Sequence, residues 1–393
     1  MEHNHLLSRR TPALLPSLLV AVACGRSTSK NLRAPVQLQP CPNPSSLVAG
    51  TFHSDGGAVD LVVLCLFDGT VALLAGNGDG TFQSPTTTAV PAGNGERPAT
   101  GDFNGDGQLD LAVTGFLHGG VAVLLGNGDG TFRPPALQAN GLPAQGIVAA
   151  QFLQPGPLDL ATSLGSSSSS STRGVALLPG LGDGGFSSPL VSPTTGSMLS
   201  GPTAGVLTPD GGMDLLVAVG PVDGGFGVQP LAATSGGFIV ASSLVPFPLV
   251  GAVAVADLNG DGIADILTLD GTSLLETALG NGDGTFKAAQ TFPTQGQPLD
   301  LAVADFNGDG IPDVAVANWL GLPSGGLCNV SGAGSVGILL GNGDGTFQSV
   351  QLFPAGEQPN TLAVADYNGD GKPDVAVLDA ASGKIEILIN AWK

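Results

Sequence analysis

Asp102-Phe103-Asn104-Gly105-Asp106-Gly107-Gln108-Leu109-Asp110, running straight into the apolar Leu111-Ala112-Val113, is the stretch that decides the fold. Side-chain oxygens stand at its positions one, three, five, seven and nine, and glycines at four and six. The pattern returns at Asp257 to Asp265, Asp305 to Asp313 and Asp366 to Asp374, each followed by an apolar run. Worn copies fall in register with these and end at Asp60, Asp159 and Asp214, which brings the count to seven. Self-similarity at a period near fifty residues is the mark of solenoids and propellers.

A second motif alternates with the first. Gly76-Asn77-Gly78-Asp79-Gly80-Thr81-Phe82 recurs at Gly126 to Phe132, Gly280 to Phe286 and Gly341 to Phe347, with Gly182 to Phe186 and Asp223 to Phe226 as its worn forms. Asn-Gly and Asp-Gly between apolar runs supply the positive φ angles of tight hairpins. Each unit therefore reads as strand, Asp-rich loop, strand, variable loop, strand, Gly-rich turn, strand. In the sixth unit the expected strands are 299–304, 314–317, 336–340 and 347–353. Seven four-stranded antiparallel sheets that cannot each cover both faces alone bury them by stacking radially. The expected fold is all-β, a seven-bladed β-propeller spanning residues 44–393. The last unit ends where its fourth strand should begin, so the preceding segment, 24–43, is expected to supply a ring-closing strand from Leu32 to Leu38.

These two motifs resemble FG-GAP repeats, also called VCBS repeats, as in the seven-bladed propeller of integrin α-subunits. The resemblance covers about residues 44–390. It implies calcium loops between the first two strands of a blade, on the side away from the ligand face. The first, third and fourth units depart from the pattern, with His53 and Ser54, Gln151 and Gln154, and Thr208 in their loops. Calcium is not extended to them.

The residues of the four full loops make the same case on chemical grounds. Oxygen-only ligands, several anionic, with Gly at position six for the sharp turn, suit a hard cation of flexible coordination number, and calcium over magnesium or zinc. The expected ligands are Asp102, Asn104, Asp106, Gln108 and Asp110; Asp257, Asn259, Asp261, Ile263 and Asp265; Asp305, Asn307, Asp309, Ile311 and Asp313; and Asp366, Asn368, Asp370, Lys372 and Asp374. Position seven contributes its backbone carbonyl. The alternative is that Asp and Asn only cap turns, which is the favoured reading for the Gly-Asn-Gly-Asp-Gly turns. The phenylalanines after those turns, and Phe103, Phe306 and Tyr367 in the loops, read as packing between blades.

The remaining composition narrows the function. Asp+Glu number 32 against 12 Lys+Arg in 393 residues, with no basic stripe, which excludes a nucleic-acid partner. Arg9 and Arg10 precede an apolar stretch from Ala13 to Ala23, so residues 1–23 read as an export signal. Cys24 follows at a position resembling a bacterial lipobox and is a candidate lipid anchor. The chain is thus expected to be secreted, periplasmic or lipid-anchored at the surface of a bacterium, and monomeric. Of Cys41, Cys65 and Cys328, one pair can form a disulfide there, or all can be buried thiols. His53 and His118 sit in no catalytic motif, so no enzyme is expected. The expected function is a scaffold for an extracellular protein or glycan. A lectin and, less strongly, a polysaccharide-degrading propeller stand as alternatives. Trp319 lies in what reads as an insertion from Asn318 to Ser335, and 166–171 is a serine run.

Overall fold

A computed structural model of the chain describes residue 32 and residues 36–392, apart from 55, 67, 91–97, 116–118, 140, 166–173, 195, 208–210, 223–224 and 320–333. Residues 1–23, Cys24, His118, Thr208, the serine run and Cys328 therefore lie outside the described residues.

Among the described residues every regular element is a strand, and the strands form seven antiparallel sheets. The second blade is typical. Ala99–Gly101 is innermost, Asp110–Thr114 and Val121–Leu124 follow outward, and Ala136–Gln138 is the outer edge. Second strands such as Asp60–Cys65 and Asp110–Thr114 are buried at every residue, as expected for a sheet covered on both faces. The core is divided into seven clusters, each lying between two neighbouring blades. One of them joins Leu47 and Leu61 of the first blade to Ala376 and Ile387 of the last, so the ring is closed.

The ring is closed by strand exchange as well as by packing. Val36–Leu38 pairs with Lys384–Leu388 and completes the seventh blade, with Leu32 bridging Asn390. A disulfide between Cys41 and Cys65 then ties this segment to the second strand of blade one.

Three expectations need correction. The fourth strand of blade six is Gln351–Pro354 and not 347–353, because Phe347 makes only a single bridge to Gly341 while the Gly-rich turn runs its course. Asn318 and Trp319 belong to the strand Asp313–Trp319, so the insertion begins after them. Blade four keeps the four-rank plan around the long hairpin Asp214–Val222 and Gly225–Thr234, with its first rank split into Ser197–Met198 and Thr203–Gly205 and its fourth into Gly237–Val240 and Val245–Phe247. Phe226 lies in the third strand of this blade and pairs with Phe247, so it does not end a Gly-rich turn, and Asp223 and Gly224 of that expected turn lie outside the described residues. The Gly-rich turn is Thr234-Ser235-Gly236-Gly237-Phe238, and it joins the third strand to Gly237–Val240.

Candidate metal loops

Each full loop joins the first strand of its blade to the second. Its two glycines take up left-handed backbone, at φ 74° and 81° for Gly105 and Gly107. That curvature wraps the backbone around the first aspartate. Asp102 Oδ1 accepts from the N–H of Gly105 at 2.7 Å and of Asp106 at 3.2 Å, and its Oδ2 accepts from Gly107 at 2.8 Å. The Asp106 N–H is shared with Asn104 Oδ1 at 2.8 Å, and Asn104 Nδ2 donates to Asp106 Oδ2 at 2.9 Å. The same bonds recur for Asp257, Asn259 and Asp261, for Asp305, Asn307 and Asp309, and for Asp366, Asn368 and Asp370. Positions one, three and five are thus drawn together at an exposed surface.

Position seven closes the turn through its backbone. The N–H groups of Gln108, Ile263, Ile311 and Lys372 donate to the position-five carboxylates at 2.8 to 3.0 Å. The bond from Gln108, then that from Asn104, hold the Asp106 carboxyl below the usual carboxylate range. The Lys372 ammonium points elsewhere and donates to the carbonyl of Trp392. In the second blade Arg133 Nη2 lies 3.2 Å from Asp106 Oδ2, so a guanidinium occupies part of the space a cation would use.

Position nine behaves differently. Asp110 is 0% exposed, and its oxygens accept from the N–H of Phe103 and of Gly126, both at 2.8 Å. Asp265 holds Leu258 and Gly280, Asp313 holds Phe306 and Gly341, and Asp374 holds Tyr367 and Asn390, all within 2.7 to 3.0 Å. Burial pushes these carboxyls up, those of Asp313 and Asp374 to about 6. The degenerate units keep the arrangement: Asp60 holds Phe52 and Gly76, Asp159 holds Leu153 and Gly180, and Asp214 holds Leu207. In blades one, two, three, five and six the final aspartate is a clamp between the loop and the Gly-rich turn of its own blade.

The fit to a metal can be stated from these bonds. One half-buried carboxylate, one exposed carboxylate and one amide oxygen per loop are hard donors, and the N–H groups already fix their positions. This is chemistry that suits calcium. The ninth carboxylate is committed to two buried N–H groups instead. Accordingly, among the described residues no three His, Cys, Asp or Glu side chains stand together as metal ligands.

The Gly-rich turns are hairpin chemistry. Asp79 Oδ1 accepts from the N–H of Thr81 at 2.9 Å, and Asn77 Nδ2 donates to Thr81 Oγ1 at 2.9 Å. They also carry a backbone contact between blades, beside the aromatic packing expected there. The glycine that follows the aspartate of a turn donates to the position-two carbonyl of the preceding blade: Gly130 to Phe52 at 3.1 Å, Gly184 to Phe103 at 3.0 Å and Gly80 to Tyr367 at 2.9 Å. The phenylalanine that follows packs edge-on against that same residue, in the pairs Phe52 with Phe132, Phe103 with Phe186, Phe152 with Phe238 and Tyr367 with Phe82.

Comparison with known proteins agrees with this architecture. A model of the FG-GAP-like repeat matches residues 57–113, 102–160, 257–316 and 327–377, and a model of the FG-GAP repeat matches 298–339. No curated protein gives a match. Among solved structures, the chain is similar to BBS1N in complex with ARL6DN in a mercury-soaked crystal, at 12% identity and a TM-score of 0.60, covering 92% of this chain and 97% of that one. A lead-soaked crystal of the same complex gives 11% identity, a TM-score of 0.56 and the same coverage. At that identity the likeness is one of fold.

Proposed function

The chain belongs to the FG-GAP-like repeat family, and on that premise we propose that it is a calcium-stabilised binding scaffold of the bacterial exterior, not an enzyme. The observation that carries the calcium reading is the repeated bond pattern at positions one, three and five of four loops. Bound calcium would neutralise two carboxylates in each, which repel by about 1 to 4 kcal/mol depending on the local dielectric. Asp102, Asn104 and Asp106, and their counterparts in blades five to seven, would hold it. The Cys41–Cys65 disulfide supports an oxidising compartment and hence export.

A propeller presents two broad faces, and its partner is proposed to be an extracellular protein or glycan on the face opposite the loops. The similar BBS1N propeller is recorded in a complex with another protein, which supports the protein reading. The test of the calcium reading is a thermal melt in EDTA and then in millimolar calcium. A rise in Tm that saturates in the sub-millimolar to millimolar range, and shrinks on Asp309→Ala, is expected, since a ligand of the native state stabilises it. Identical melts in EDTA and calcium would sink the metal assignment while leaving the fold intact. A glycan array and pull-down with surface extracts of the same organism separate the two kinds of partner.

A further inference from the structure

The seam between blades four and five is loosely built. On its blade-four side the first and fourth ranks are both broken, so that Thr203–Gly205 and Val245–Phe247 are short pieces on either side of the central hairpin. Leu207 packs with Phe286 here, in place of the aromatic pair that joins blades one and two. A crevice of about 240 Å³ opens between residues 243–246 of blade four and 284–289 of blade five.

A carboxyl is buried inside this seam. Successive side chains of a strand point to opposite faces. In Leu274–Ala278 of blade five, Ala278 packs on blade four and Leu275 on blade six. Glu276, two residues from Ala278, therefore faces blade four, and it is 1% exposed. Its cross-strand neighbour Thr268 shares that face with Ile266. Glu276 Oε2 and Thr268 Oγ1 are both buried without a hydrogen-bond partner. The opposing wall is apolar, built from Leu216, Ala218, Val228, Val245 and Phe247.

No positive charge offsets the acid. Lys287 is the only Lys, Arg or His in residues 197–293, and it is exposed at the crevice. Among the strands packed around Glu276, Asp214 and Asp265 carry the only other charges, and both are held at the loop ends by the N–H groups of Leu207 and of Leu258 and Gly280. Asp270, on the connection before the strand, adds repulsion. Blade seven shows the contrast. Glu386 stands at the corresponding place, but it accepts from Gln37 Nε2 at 2.8 Å, and Lys384 Nζ donates to the same glutamine at 3.1 Å.

An ionised carboxylate in such a place lacks the water or partner it needs, whereas the protonated acid carries no charge to solvate. Burial, with Asp270 adding to it, pushes Glu276 up to about 7. We propose that the seam between blades four and five is a pH-sensitive joint of the ring, closed while Glu276 is protonated and opening locally to water when it ionises. The folded value lies above the ordinary 4.5, so the closed seam is fully stable in acid and loses stability as pH rises through 7. From those two values, opening becomes about tenfold more frequent between pH 6 and pH 8.5. The joint is independent of the calcium and partner readings.

The experiment is amide hydrogen exchange by mass spectrometry on the full chain in millimolar calcium at pH 6 and pH 8.5, with rates corrected for the intrinsic effect of pH. Residues 245–247 and 265–278 are expected to be less protected at pH 8.5 than the corresponding strands 60–74 of blade one. Their protection should fall about tenfold more in the parent than in Glu276→Gln between the two pH values. Asp265 and the other buried ninth aspartates titrate in both proteins and cancel in that difference. Glu276→Met, which also cannot ionise, should match the Gln variant and serves if that variant does not fold. Seam strands as well protected at pH 8.5 as those of blade one overturn the proposal. So does a pH dependence that is the same in the parent and in both variants.

Discussion

Replacing Asp159 by alanine isolates the clamp from any metal, because the third loop keeps none of the other acidic positions. Asp159 is 2% exposed, and its two oxygens accept from Leu153 N–H at 2.8 Å and Gly180 N–H at 2.9 Å. Alanine strands both donors. An unsatisfied buried group costs about 1 to 3 kcal/mol, and these two sites are only part-buried, so about 2 to 4 kcal/mol is expected for the pair. With an unfolding entropy of about 2.1 cal/mol/K per residue over the roughly 320 residues the structure describes, each kcal/mol moves Tm by about 1.5 °C. The variant should therefore melt about 3 to 6 °C below the parent by calorimetry.

The control is Asp313→Ala in a full loop, with both proteins melted in EDTA. Asp313 holds Phe306 and Gly341 in the same way and is 0% exposed, so a clamp predicts a loss at least as large without any metal. If Asp159→Ala melts within about 1 °C of the parent the clamp is refuted, and if Asp313→Ala is costly only in calcium the ninth aspartate of the full loops is a metal ligand instead.

Three further outcomes are expected. Glu276 is 1% exposed, its Oε2 has no partner, and burial, with Asp270 adding to it, pushes its carboxyl up to about 7. Because the folded value lies above the unfolded one, its contribution is full below pH 4.5 and is lost as pH rises through 7. Glu276→Gln should thus stabilise the protein at pH 8 by up to about 3 kcal/mol and by little at pH 4, and parallel Tm curves for the two proteins would refute this. Arg133→Ala should tighten calcium at the second blade by about 1.5- to 5-fold at low salt, the worth of an exposed ion pair, and an unchanged titration would show that the guanidinium does not compete. Removing both Cys41 and Cys65 should cost about 3 kcal/mol through the 24-residue separation they span. Dithiothreitol should reproduce that loss in the parent chain, and equal melts with and without reductant would refute it.

Strand count, blade count and the ring-closing segment were legible because they rest on period and on turn residues that only a few backbone conformations tolerate. Phe238 was not, since Thr234-Ser235-Gly236-Gly237 makes the turn without the aspartate that marks the others. The letters Asp223-Gly224-Gly225-Phe226 imitated it at the wrong end of a strand. The direction of the ninth aspartate was hidden for a different reason. A metal ligand and a clamp need the same residue at the same spacing, and what separates them is a donor such as the Gly126 N–H, sixteen residues away in sequence.

The uneven wear of the seven loops follows from this division. Position nine, and an apolar residue at position two packed on the next blade, persist in all seven units, including the pairs Leu207 with Phe286 and Leu258 with Phe347 where the loop residue is not aromatic. Positions one, three and five vary. Where they are lost, other groups stabilise the loop: His53 Nδ1 lies 2.9 Å from Asp60 Oδ2 in blade one, and Gln151 Nε2 donates to the Gly156 carbonyl in blade three. Blades that close without acidic loops imply that metal, where bound, stiffens loops rather than assembling the ring. Stripping calcium should accordingly lower Tm and raise amide exchange within 102–108, 257–263, 305–311 and 366–372, while the β-sheet circular dichroism at 25 °C stays as it was. Loss of the sheet signal in EDTA would mean that the clamps and aromatic contacts cannot hold the ring by themselves.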